Sequence, residues 1–187
     1  MKEKNDITKP NKTIYRSAKE CSYTAVFVAL LIASQLAFAS IPGVEIVTLL
    51  FVSYAFCLGA IRGMLSATLF SLLRQIIFGF NPTVLVLYLV YYNLLTLIFG
   101  LLGKRIQNPL ELLWLIIFIA CVCTIAFTMI DNILTTFWYG YTERAAKIYF
   151  KASISFMVPQ VICTAISVGV LFLPLVKIFS NLKKRLL

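Results

Sequence analysis

From Leu112 to Tyr139 the chain reads LLWLIIFIACVCTIAFTMIDNILTTFWY, and Asp131 is its one charge. A run of that length and apolarity has one economical solution. Every backbone N–H and C=O must be satisfied within the segment, so it forms a helix long enough to cross a hydrocarbon core of about 30 Å. The feature recurs. Six apolar segments can be drawn: Tyr23–Ser40, Val47–Ile61, Met64–Phe80, Thr83–Leu102, a fifth from near Leu110 to about Tyr139, and a sixth from near Tyr149 to the basic end NLKKRLL. Only 13% of the 187 residues are charged, about half the share of a soluble domain, and 61% are hydrophobic. The expected fold is an all-α polytopic membrane protein with six transmembrane helices. Spans two and three are short, so a broken or re-entrant arrangement of that pair stays open. Spans five and six are long, and Pro159 and Pro174 are expected to bend the sixth.

Three regions follow: a polar tail over 1–20, a membrane domain over 21–180 and a basic tail over 181–187. The opening MKEKNDITKPNKTIYRSAKE has the charge of a signal-peptide n-region. No small-residue cleavage site follows, so the first apolar run is expected to remain in the mature protein. Orientation comes from lysine and arginine. The N-terminal tail, Arg62 in the 2–3 turn, Lys104 and Arg105 in the 4–5 loop and the C-terminal end with Lys177 hold thirteen of them. Both termini are therefore expected on the cytoplasmic side. Arg144, Lys147 and Lys151, in YGYTERAAKIYFK, fall on the predicted outer side and need a separate reason, an anionic ligand or a lipid headgroup among them. The net charge of +10 is a topology signal and implies no nucleic-acid partner.

Several chemistries have no residues to carry them. There is no histidine, and Cys21, Cys57, Cys121, Cys123 and Cys163 make no CxxC, so they read as small core residues rather than a metal or disulfide framework. GLLGK, ending at Lys104, lacks the spacing of a P-loop and has Arg105 where Ser or Thr belongs. GxSxG and paired intramembrane carboxylates are also missing. The composition points away from an enzyme, and a solute mover of this kind would lack its own ATPase. No cofactor or metal is expected.

Arg74, inside SLLRQIIFGFNP, is the most expensive residue, because an arginine at mid-membrane costs roughly 2.5–3.5 kcal/mol on insertion scales. Asp131 lies at comparable depth in span five, with Asn132 beside it. Two readings follow: an Arg74–Asp131 ion pair, or polar groups lining a cavity open to the outside. Span four adds Tyr88, Tyr91 and Tyr92 at helical spacing next to Asn93, rings with polar handles suited to a flat heteroaromatic ligand. Gln35, Glu45, Trp138 and Gln160 fall in the outer halves, with YGYTERAAK as a candidate lid. In span one, Ala25, Ala29, Ala33 and Ala37 recur every four residues. Such a smooth ridge lets another helix approach closely, either within the chain or from a membrane partner. Gly59 and Gly63 match GxxxG but fall at a turn.

The order of features from Ile41 to Lys104 is a proline-bearing outer loop, VTLL, a short Gly/Arg inner turn, GFNP and a Gly-rich end to span four. With the alanine ridge and six spans, it resembles the S component of energy-coupling factor (ECF) transporters. The resemblance is of pattern and covers nearly the whole chain. It implies a bacterial plasma-membrane subunit that captures a vitamin or related micronutrient on the outer side. That subunit docks on a transmembrane scaffold carried by two cytoplasmic ATPases. Carried over, docking falls on Ala25, Ala29, Ala33 and Ala37. Ligand binding falls on Glu45, Tyr88, Tyr92, Asn93, Trp138 and Gln160, with Arg74, Asp131 and Asn132 as further candidates. The alternatives are a stand-alone secondary transporter or small channel using Arg74 and Asp131, and an assembly subunit without a ligand.

Overall fold

The computed structural model describes residues 12–41, 46–106 and 108–186. These form six helices and no strand: α1 (Lys12–Phe38), α2 (Ile46–Leu58), α3 (Ala60–Phe78), α4 (Pro82–Arg105), α5 (Leu113–Trp138) and α6 (Glu143–Leu186). Five are long and apolar enough to cross a membrane; α2, with 13 residues, is the shorter one. Each apolar run became one helix, but the ends moved. Helix α1 reaches back to Lys12, into the segment read as a tail, and α6 begins at Glu143. The connection from α5 to α6 is therefore only residues 139–142. Arg144, Lys147 and Lys151 stand on the first turns of a helix, so the expected lid of nine residues shrinks to four.

Helix α2 is the axis of the bundle. Every residue from Val47 to Leu58 is buried, as expected of a helix apolar on all sides. It packs against α4 and α6 most extensively and also touches α1, α3 and α5. Its length is about 20 Å at 1.5 Å per residue, whereas α6 runs about 66 Å, more than twice a hydrocarbon core. Pro159 and Pro174 lie inside α6 without ending it.

Two glycine devices hold the centre together. Gly59, at φ +93°, is the one residue between α2 and α3, a backbone conformation that a side chain would strain. Gly100 and Gly103 let α4 lie against the backbone of Ala60 and Phe56, where a β-carbon would overlap main-chain atoms. At the other end of the bundle, Asn81 caps α4. Its Oδ1 accepts from the N–H groups of Thr83 (3.1 Å) and Val84 (3.4 Å), with Pro82 at the first helical position.

Polarity is arranged inside out. Buried hydroxyls such as Ser53, Ser71, Thr96 and Thr124 donate to the carbonyl four residues earlier in their own helix. Ile61, Ile76, Phe118, Phe137 and Val170 are among many large apolar side chains on the exterior. Such a surface is far too apolar for water and suits a lipid solvent. Towards the basic end of α6, Phe179 packs edge-on against Phe27 of α1, and Arg62 of α3 pairs with Glu20 of α1 at 2.7 Å.

Candidate functional site

At the opposite end of the bundle, α1, α2 and α4 enclose a cavity of about 180 Å³. Ser34, Gln35 and Phe38 come from α1, Ile46 and Val47 from α2, and Tyr88 and Tyr92 from α4. Helix α1 supplies two polar groups here; Ser34 donates its hydroxyl to Leu30 O at 2.6 Å. Gln35 Nε2 donates to Tyr88 Oη at 3.2 Å. Gln35 Oε1 is buried with no hydrogen-bond partner, so an acceptor is held ready beside the cavity.

Tyr88 joins this cavity to Arg74, which is half-buried. The Arg74 guanidinium carbon lies 4.4 Å from the centre of the Tyr88 ring and 4.9 Å from that of Phe78. A desolvated cation–π contact is worth about 2 kcal/mol, so two rings offset much of the insertion cost of an arginine. Arg74 Nε remains buried without a hydrogen-bond partner. Beneath Tyr88, Tyr92 is 1% exposed and its ring packs against Phe51 at 4.7 Å and Phe70 at 5.5 Å. The floor of the cavity is therefore aromatic, built of tilted and edge-to-face rings.

The expected Arg74–Asp131 ion pair does not form. Helices α3 and α5 make no contact with each other. Asp131 instead accepts from Tyr149 Oη at 3.3 Å and from Thr135 Oγ1 at 3.5 Å. Asn132 is fully buried, donating from Nδ2 to Ser153 Oγ at 2.7 Å, with Oδ1 left unpartnered. Both residues belong to the seam between α5 and α6, where Thr124 and Thr164 also meet at 3.2 Å.

Of the other candidates, Asn93 is turned to the α3–α4 seam, where Nδ2 donates to Leu89 O (2.7 Å) and meets Thr68 Oγ1 (3.3 Å). Tyr91 packs on Phe127 at 4.8 Å. Trp138 is exposed at the end of α5 and Gln160 half-buried in α6; neither lines the cavity. Glu45 lies outside the described residues. The site thus gathers Tyr88 and Tyr92 with Gln35, and Arg74 stands against Tyr88 without lining the cavity. It also draws attention to Ser34 and Gln75, which sequence reasoning passed over. Gln75 Oε1 accepts from Asn81 N at 3.0 Å while its buried Nε2 has no partner, and its only signal in the sequence was adjacency to Arg74. Among the described residues no group of three acidic, cysteine or histidine side chains could hold a metal.

Comparison with known proteins found no family model, no curated protein and no solved structure that matches this chain. What the chain binds must be argued from its own residues.

Proposed function

We propose that the chain is the substrate-binding S component of an ECF-type importer, with both termini at the cytoplasmic face. The observation that carries the reading is the cavity between α1, α2 and α4, at the end of the bundle remote from the basic helix ends. It offers a buried carbonyl acceptor on Gln35 and the rings of Tyr88 and Tyr92, groups that suit a small planar solute with a hydrogen-bond donor. Arg74 lies behind Tyr88 and tunes that ring electrostatically.

Ala25, Ala29, Ala33 and Ala37 support the second half of the reading, since all four are exposed on one face of α1. That face would receive the scaffold subunit, with the two ATPases supplying energy from the cytoplasm. The alternative, a stand-alone transporter with an Arg74–Asp131 relay, has no contact between the two charges to support it.

Two substitutions test the division of labour. Ala29→Trp should abolish uptake in cells while leaving ligand binding by the purified protein unchanged. Gln35→Leu should weaken binding by about tenfold, the worth of one buried hydrogen bond, and leave docking intact. The ligand itself would be sought by native mass spectrometry of protein purified from rich medium. ATP-independent uptake by vesicles holding this chain alone would sink the proposal.

A further inference from the structure

A second concavity lies outside the cavity just described, on the outer flank of the α5–α6 hairpin. It measures about 410 Å³, and its walls are Asn132, Ile133, Thr136 and Phe137 from α5 with Ala146, Lys147 and Phe150 from α6. The lining is mostly hydrocarbon; its polar groups are the ammonium of Lys147, Thr136 and Asn132, whose amide already donates to Ser153 in the α5–α6 seam. At its upper edge α6 carries Arg144, Lys147 and Lys151, spaced three and four residues apart, so that they form one stripe on the helix. All three are exposed. Trp138, Tyr139 and Tyr141 are exposed at the same level, the pattern of side chains that settle at a membrane–water interface.

We infer that this groove holds an anionic phospholipid, one acyl chain lying against Ile133, Phe137 and Phe150 and its phosphate on the Arg144, Lys147 and Lys151 stripe. An apolar trough continuous with a cationic rim matches the two chemistries of a phospholipid in the order in which a bilayer presents them. A free anion would find the rim but have no use for the trough; a neutral lipid would fill the trough and leave the cations unmatched. The inference also accounts for three positive charges on the side of the bundle where the topology rule would have none. One charge opposes it. Glu143 approaches Lys147 to 4.0 Å, but both are almost fully solvated, so the pair is weak and a phosphate can displace it. The groove shares no residue with the cavity at Gln35, and the inference holds whether or not that cavity takes a nutrient.

The test is native mass spectrometry of the full-length protein in detergent, offered equal amounts of phosphatidylglycerol and phosphatidylcholine. One phosphatidylglycerol should be retained in preference to phosphatidylcholine by about fivefold or more, the effect of a single cation at an anionic headgroup. Replacing Arg144, Lys147 and Lys151 together with Gln should bring the ratio near one. Glu143→Gln should raise it, and Ala146→Phe, which fills the trough, should lower retention of both lipids. If Ala146→Phe fails to fold, the triple variant still decides, because its side chains are exposed. Equal retention of the two lipids by the unaltered protein, a preference that survives the triple variant, or displacement of the lipid by millimolar inorganic phosphate would each overturn the inference.

Discussion

The aromatic half of the bundle and the α5–α6 hairpin meet the same difficulty in different ways. Each must accommodate a half-buried charged side chain inside an apolar helix bundle. Around α2 and α4, Arg74 is held by the π faces of Tyr88 and Phe78, contacts that use no hydrogen bond and leave Nε unbonded. Along α5 and α6, Asp131 is held by directed hydrogen bonds from Tyr149 and Thr135, in a seam that continues through Asn132–Ser153 and Thr124–Thr164. The difference follows from sign. A cation is attracted to the electron-rich face of a ring, whereas a carboxylate is repelled by it and requires O–H or N–H donors. Rings leave irregular space between them, and the cavity sits among them; hydroxyl seams close two helices tightly, and the α5–α6 groove forms only at the flank.

The contrast is breakable by substitution. The largest effect should come from the aromatic half, where Gly103→Leu would drive α4 off the backbone of Phe56. We expect a loss of at least about 3 kcal/mol, read as failure to purify a monodisperse protein or as a steep fall in unfolding temperature. Next is Tyr88→Leu, which removes a ring from Arg74 and a hydrogen-bond partner from Gln35. It should cost about 2–4 kcal/mol in thermal unfolding. Tyr149→Phe, its counterpart in the hairpin, should cost about 0.6 kcal/mol, as hydrogen bonds between membrane helices average. Comparable losses from the two would erase the distinction drawn here. The smallest effect concerns the two charges themselves. In a double-mutant cycle of Arg74→Leu and Asp131→Asn the stability changes should add to within about 0.5 kcal/mol, as for sites without a shared partner. A coupling well above that would restore the ion pair.

The number and position of the helices were legible in the sequence because each apolar run must close its own hydrogen bonds before it can leave water. Asn81 and Pro82 marked a helix start for reasons local to those residues, and the spacing of Ala25, Ala29, Ala33 and Ala37 put them on one face, whose exposure only the structure decided. The start of α6 at Glu143 was less so, since ERAAK is polar enough to pass for a loop yet made of good helix formers. Among the candidate residues, Tyr88 and Tyr92 line the cavity between α1, α2 and α4, while Asn93, Asp131 and Asn132 make their hydrogen bonds in helix seams.

What the sequence by itself determined is one-dimensional: which segments are helical, how deep each residue lies along its helix, and which side chains share a face. Which helices stand next to one another was decided only in the tertiary structure. Arg74 and Asp131 lie on α3 and α5, two helices that do not touch, because α2 and α4 pack between the flanks of the bundle. Lateral order depends on the fit of whole helix surfaces, such as Gly100 and Gly103 on the α2–α3 turn. That fit is summed over residues far apart in the chain, so no single stretch of sequence declares it.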